Sequence, residues 1–166
     1  MKGLRFGWRI IVLSCISCYD INGDFEVTSD LSSTDYRSLG EFRLQIRRFL
    51  CFSETAAKAE GLQTQQHQLL LALRSLNEAA GSTVGRLAEH LVIRHHSAVG
   101  LVDRMEQRRL VKRVRGSDDR REVRIQLTAE GDARLKRLSH AHREELRLSG
   151  PLLVAALSDL LKHVTA

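Results

Sequence analysis

Between Arg86 and Arg121 the chain sets ten Lys or Arg against five Asp or Glu, and this stretch carries most of its formal net charge of +6. Guanidinium and ammonium groups at that density bind phosphate: they displace counterions from a nucleic acid and give affinity that ignores sequence and falls with salt. Reading base edges needs other side chains, small or polar ones and arginines that can make two hydrogen bonds at once. His95, His96, Ser97, Val99, Gly100 and Arg104 lie together inside the basic stretch and supply such a set. Aromatic residues make up 5% of the chain, too few for the stacking platforms of single-strand readers, so the polyanion expected is duplex DNA.

Other chemistries find less to work with. The chain has no Gly-x-Ser-x-Gly elbow, phosphate loop, His-Glu-x-x-His pair or glycine-rich dinucleotide turn, and an enzyme is not expected. His140 and His142 are two apart, so on a helix they point about 200° from each other and not at one ion; His67 could join one of them only through the fold. Cys15 and Cys18 form a Cys-x-x-Cys with no second pair behind it, which suits neither a zinc ribbon nor a redox motif. Three cysteines make no disulfide framework, so a reducing cytoplasm is the expected setting. No cofactor and no metal are expected.

The elements that must position the basic segment follow from apolar spacing. Leu39, Phe42, Ile46, Phe49, Leu50 and Ala57 recur at three- and four-residue steps and predict one long amphipathic helix from Asp35 to Gly61. A second helix follows Thr64, with Leu69, Leu70, Leu73 and Leu76 apolar, Leu71 widening the buried face, and Gly81 closing it. Thr83 caps a third, with Val84, Leu87, Ala88 and Leu91 inward, and after the turn Val92-Ile93-Arg94 a fourth carries Ala98, Leu101, Val102 and Met105. Two short helices joined tightly make a helix-turn-helix. Residues 110–115 and 122–127 have strand character around the polar tip 116–121, and Thr128 caps a helix with Glu130 in its first turn. Pro151, just past Ser149-Gly150, is expected to open a separate last helix. The fold class is therefore mainly α with a small β wing: a winged helix-turn-helix over 62–128, flanked by dimerisation helices at 35–61 and 129–166. Residues 1–34 read as a poorly defined leader and linker; the apolar run Ile10–Leu13 is too short to span a bilayer, and no membrane partner is expected.

From Asp35 onward the chain resembles the MarR family of winged-helix regulators. Thr83-Val84-Gly85-Arg86-Leu87-Ala88-Glu89-His90-Leu91 resembles that family's third helix, and Ser97–Glu106 its recognition helix. Leu110-Val111-x-Arg113, Asp119-Arg120-Arg121 and Leu127-Thr128-x-x-Gly131 match the wing and its exit in order and spacing. Two departures stand out: Arg109 occupies a place usually held by glycine, and Gly116-Ser117-Asp118 replaces the frequent Asp-Pro-x of the wing. The terminal helices carry more apolar surface than the winged helix can cover, which predicts a twofold homodimer on an inverted-repeat operator with the recognition helix (about 95–108) in the major groove, and the resemblance implies the wing (about 110–127) in the minor groove. It also implies DNA contacts from Arg104 and Arg121, Arg120 assisting and Asp119 orienting an arginine. Repression relieved by a small aromatic or phenolic effector, held between the dimer helices and the winged domain, is implied as well.

Plainer readings stand beside these. His95 and His96 equally suit a solvated helix start, Arg104 a pair with a wing carboxylate, Arg120 and Arg121 a solvated charge run, and the terminal helices a fold that packs only on itself. As whole-protein alternatives, a winged helix can serve protein contact without DNA, and Cys51 invites comparison with thiol-based redox regulators. That comparison is weakened because Tyr19 and Tyr36, the only tyrosines, both precede Cys51; a buried or incidental thiol is expected.

Overall fold

The computed structural model describes residues 31–76, 81–115 and 122–164. Its order is α1 (Ser33–Ala59), α2 (Thr64–Leu76), α3 (Val84–Leu91), α4 (His95–Gln107), β1 (Val111–Arg115), β2 (Val123–Leu127) and α5 (Ala129–Val164). α1 begins two residues before Asp35 because Ser32 caps it. The Ser32 hydroxyl accepts from the Asp35 N–H at 3.2 Å while the Asp35 carboxylate accepts from the Ser32 N–H at 2.8 Å, satisfying two otherwise orphaned donors.

Three helices end by the same device. After α1 the N–H of Leu62 reaches the carbonyl of Ala57 and that of Gly61 reaches Lys58; after α3, Ile93 reaches Ala88 and Val92 reaches Glu89; after α4, Leu110 reaches Met105 and Arg109 reaches Glu106. Each turn needs a left-handed residue, and Gly61 (φ 68°), Val92 (φ 53°) and Arg109 (φ 58°) provide it. Only the first is glycine; the other two accept a steric cost of about 1–2 kcal/mol each. The return is burial: each turn drives the next apolar residue, Leu62, Ile93 or Leu110, against the core.

That core gathers Leu69, Leu70 and Leu73 of α2, Leu87 of α3, Leu101, Val102 and Met105 of α4, Val111, Ile125, and Leu135 and Leu138 of α5. Leu71 does not join it; rotated off the α2 stripe, it is 47% exposed. β1 and β2 pair antiparallel from Val111↔Leu127 to Arg115↔Val123, and Ser82 adds a bridge to Ile125. At Gly81 a Cβ would stand 2.5 Å from the Ile125 carbonyl oxygen, so glycine is what lets the chain approach the wing. Gly131 plays the same part at the start of α5, where any side chain would collide with the backbone of Leu110. Thr128 locks this corner: its hydroxyl donates to the Arg109 carbonyl at 2.7 Å and accepts from the Gly131 N–H at 3.1 Å.

The separate last helix expected after Gly150 does not occur, since α5 runs unbroken through Pro151. A proline there lacks one N–H and crowds the carbonyl of Arg147. Arg147 is exposed, which leaves that carbonyl open to water, and the long helical runs on both sides hold the segment in register. α1 packs along α5, yet its buried residues are Gln45, Ser53 and Ala57, while Leu39 and Leu50 of the expected apolar face stay exposed in the single chain. Among the described residues no helix is long and apolar enough to cross a membrane.

Candidate nucleic-acid interface

α4 starts at His95 with no side-chain cap, so its first N–H groups point outward unclaimed by a capping side chain. His95, His96 and Ser97 are exposed in that first turn, Val99 and Gly100 are half-buried, and Arg104 is exposed one turn further. Ala98, Leu101, Val102 and Met105 form the opposite, buried face. Ser97, Gly100 and Arg104 lie at steps of three and four and so share one outward face. The Arg104 guanidinium passes 3.4 Å from where a Cβ on Gly100 would be, so a larger residue at 100 would press on the arginine. Among the described residues Arg104 forms no ion pair.

The basic segment is not uniformly free. Arg108, though exposed, is engaged within the chain, donating to the Gln66 side chain and to the Gly61 carbonyl, both at 2.7 Å, and ties the end of α4 to the α1–α2 corner. Arg113, on β1, leaves the cationic pool too. Its guanidinium meets Asp103 at 2.5 Å and also pairs with Glu106, whose other oxygen accepts from the Arg113 N–H at 3.1 Å. Arg86, Arg104, Arg109, Lys112 and Arg115 remain exposed. The sequence reading missed this clamp, because it joins one helix face to a strand beyond a left-handed turn. The only hint was Asp103 and Glu106 three apart on the recognition helix. Asp119, Arg120 and Arg121, expected in the wing, lie outside the described residues.

A second polar cluster lies where α1, α2 and α5 meet. His142 donates from Nδ1 to the Leu138 carbonyl at 2.8 Å, leaving Nε2 to accept from the Ser53 hydroxyl at 2.9 Å. Phe49 and Phe52 pack edge-on to its ring, and His67 lies with its centroid 4.8 Å away. His67 is buried with Nδ1 unpartnered, and burial, with His142 adding a smaller repulsion, pulls its pKa down to about 4. The fold thus brings His67 to His142 and leaves His140 apart, on the outer side of α5 in a groove of about 230 Å³ with Leu71, Arg74, Leu135, Ser139 and Arg143. Among the described residues no three His, Cys, Asp or Glu stand close enough to hold a metal. Cys51 is exposed, not buried.

Two short helices with an outward-facing second helix, followed by an antiparallel hairpin and framed by long terminal helices, define a winged helix-turn-helix protein. Residues 60–122 match the model of the MarR family. It is 40% identical over 76 residues to the transcriptional activatory protein BadR of Rhodopseudomonas palustris, a match covering 46% of this chain and 43% of that protein. The chain spans about half the length of the curated relatives it matches. Among solved structures it is similar to a Staphylococcus aureus MepR mutant bound to an oligodeoxyribonucleotide (TM-score 0.60, 17% identity, 81% of this chain and 99% of that one). It is also similar to CouR of Rhodococcus jostii bound to p-coumaroyl-CoA (TM-score 0.59, 24% identity, 80% and 95%). At these identities the two structures establish the fold. The matched relatives are named as transcription regulators, not enzymes.

Proposed function

We propose that this protein is a cytoplasmic transcription regulator that binds an inverted-repeat operator as a homodimer, α4 entering the major groove and the wing the minor groove. The observation that carries the reading is the outward face of α4, where exposed Ser97 and Arg104 flank Gly100 on a helix that starts without a side-chain cap. In this arrangement His95, His96, Ser97 and Val99 meet base edges and Arg104 follows one turn behind. Arg121, with Arg120, enters the minor groove, where narrow A/T-rich stretches concentrate negative potential, and Asp119 orients an arginine. Occupying a promoter blocks it, and repression is the direction this reading takes. Because BadR is named as an activatory protein, a reporter assay must decide the sign.

The effector in this reading is a small aromatic or phenolic compound. The groove between α2 and α5 lies between the winged domain and a dimerisation helix, and Arg143 and His140 beside Leu71 and Leu135 suit an aromatic ring with an acidic substituent. The likeness to CouR, solved with p-coumaroyl-CoA, supports testing phenolic acids first. The primary test is fluorescence anisotropy on a random duplex pool at several salt concentrations. Binding should enrich a near-palindromic site and weaken steeply with salt, and Arg104→Ala with Arg121→Ala should cost about 10- to 100-fold or more. Absence of duplex binding at low salt would hand the lead to a protein-contact module.

A further inference from the structure

We propose that Arg113 serves DNA binding without touching DNA: it neutralises Asp103 and Glu106, the two carboxylates that the recognition helix carries beside its reading face. The inference rests on the DNA-binding function proposed above.

Asp103 directly precedes Arg104, and Glu106 follows it by two, so both flank the arginine assigned to DNA. They are no remote pair: their side chains are 47% and 37% exposed on the helix that would sit between two phosphate backbones. Bare carboxylates there would repel phosphates, and screening over a Debye length of about 8 Å is weak at contact distance. The structure answers both with a single cation. Arg113 sends one guanidinium nitrogen to Asp103 at 2.5 Å and the other to Glu106, while its own N–H donates to Glu106 at 3.1 Å. Arg113 stands opposite Ile125 in the sheet, and its N–H is spent on the recognition helix. The same bonds therefore fix β1, and with it the root of the wing, against α4. A lysine could not span the two acids in this way, because it lacks the planar fork.

Charge masking and mere bracing make different predictions, and charge rescue separates them. The three side chains sum to −1 in the parent; Arg113→Met leaves −2, and adding Asp103→Asn with Glu106→Gln returns the sum to zero. Affinity would be read by anisotropy on mixed-sequence duplexes of about three helical turns, with thermal unfolding of each variant recorded alongside. Arg113→Met should weaken binding about 10- to 100-fold, the range of a lost DNA-contacting arginine, and the triple variant should return to within about threefold of the parent. Asp103→Asn with Glu106→Gln alone should bind at least as tightly as the parent. A triple variant as weak as Arg113→Met, though equally folded, would overturn the proposal in favour of bracing. So would an Arg113→Met protein that binds like the parent. If Arg113→Met fails to fold, the Asp103→Asn, Glu106→Gln protein decides alone, since masking requires that it not lose affinity. A parent that binds no duplex would instead sink the DNA-binding reading itself, and this inference with it.

Discussion

A buried imidazole beside a second one is a costly choice, and His67 shows where the cost is met. Among the described residues its Nδ1 finds no partner, and the residue is 5% exposed, so the folded chain keeps it neutral down to a pKa of about 4, against 6.5 ordinarily. A histidine whose folded pKa is depressed gives stability that is fully present above the unfolded pKa. That stability is lost as pH falls from about 6.5 through about 4, because in this window the unfolded chain binds the proton and the folded chain does not. The loss amounts to roughly 3 kcal/mol once the fall is complete. Urea unfolding at stepped pH should show this slope in the parent, and His67→Leu should flatten it between pH 6.5 and 4 while leaving the neutral-pH fold intact. An unchanged slope in that variant would mean that other groups carry the acid sensitivity. Nothing in the sequence announced this residue's neighbours: His67, Ser53 and His142 are far apart along the chain and meet only because α1, α2 and α5 converge.

At the scale of elements, what was legible is what local rules dictate. The Thr83 cap, whose hydroxyl accepts from the Arg86 N–H at 3.3 Å, follows from a short-range rule. So do the alternation around buried Ile125 and the Thr128–Gly131 corner. Arg109 in a left-handed turn was foreseeable because a glycine is usual at that place. Pro151 misled for the opposite reason: a local rule that opens a new helix at proline was overridden by the long helical runs on both sides, with the crowded Arg147 carbonyl left open to water. The Asp103–Arg113–Glu106 clamp is tertiary, and spacing alone could not show it. Val92 was marked only as part of a turn, and its left-handed backbone, unfavourable above all for a β-branched residue, is something the structure adds. Val92 is 37% exposed, so its side chain gives little to the core in return. Val92→Gly should therefore stabilise the helix-turn-helix by roughly 1 kcal/mol, seen as a higher urea midpoint with an unchanged slope. A lower midpoint would show that the valine methyls contribute more than the strain costs.

For the molecule as a whole, the unresolved matter is the apolar surface that one chain leaves uncovered. Leu39, Leu44 and Leu50 of α1 and Leu146, Leu148, Leu152, Val154 and Leu157 of α5 are all at least 40% exposed, a concentration on two adjoining helices that a stable monomer rarely tolerates. A second copy pairing through these helices would cover them and place two α4 helices on one side, about 34 Å apart on successive major grooves. Affinity for an inverted repeat would then come largely from tethering, since once one half-site is filled the second binds at high effective concentration. Leu148→Glu with Leu152→Glu puts charge into that surface without touching the winged domain. In sedimentation velocity the parent should run at twice the chain's mass and the variant at the mass of one chain. On a duplex carrying the full repeat the variant should lose about 100-fold in affinity, while on a single half-site the two proteins should bind alike. Equal loss on both duplexes would show that the substitutions had damaged the reading head itself, and a variant that stays dimeric would move the interface away from these two leucines.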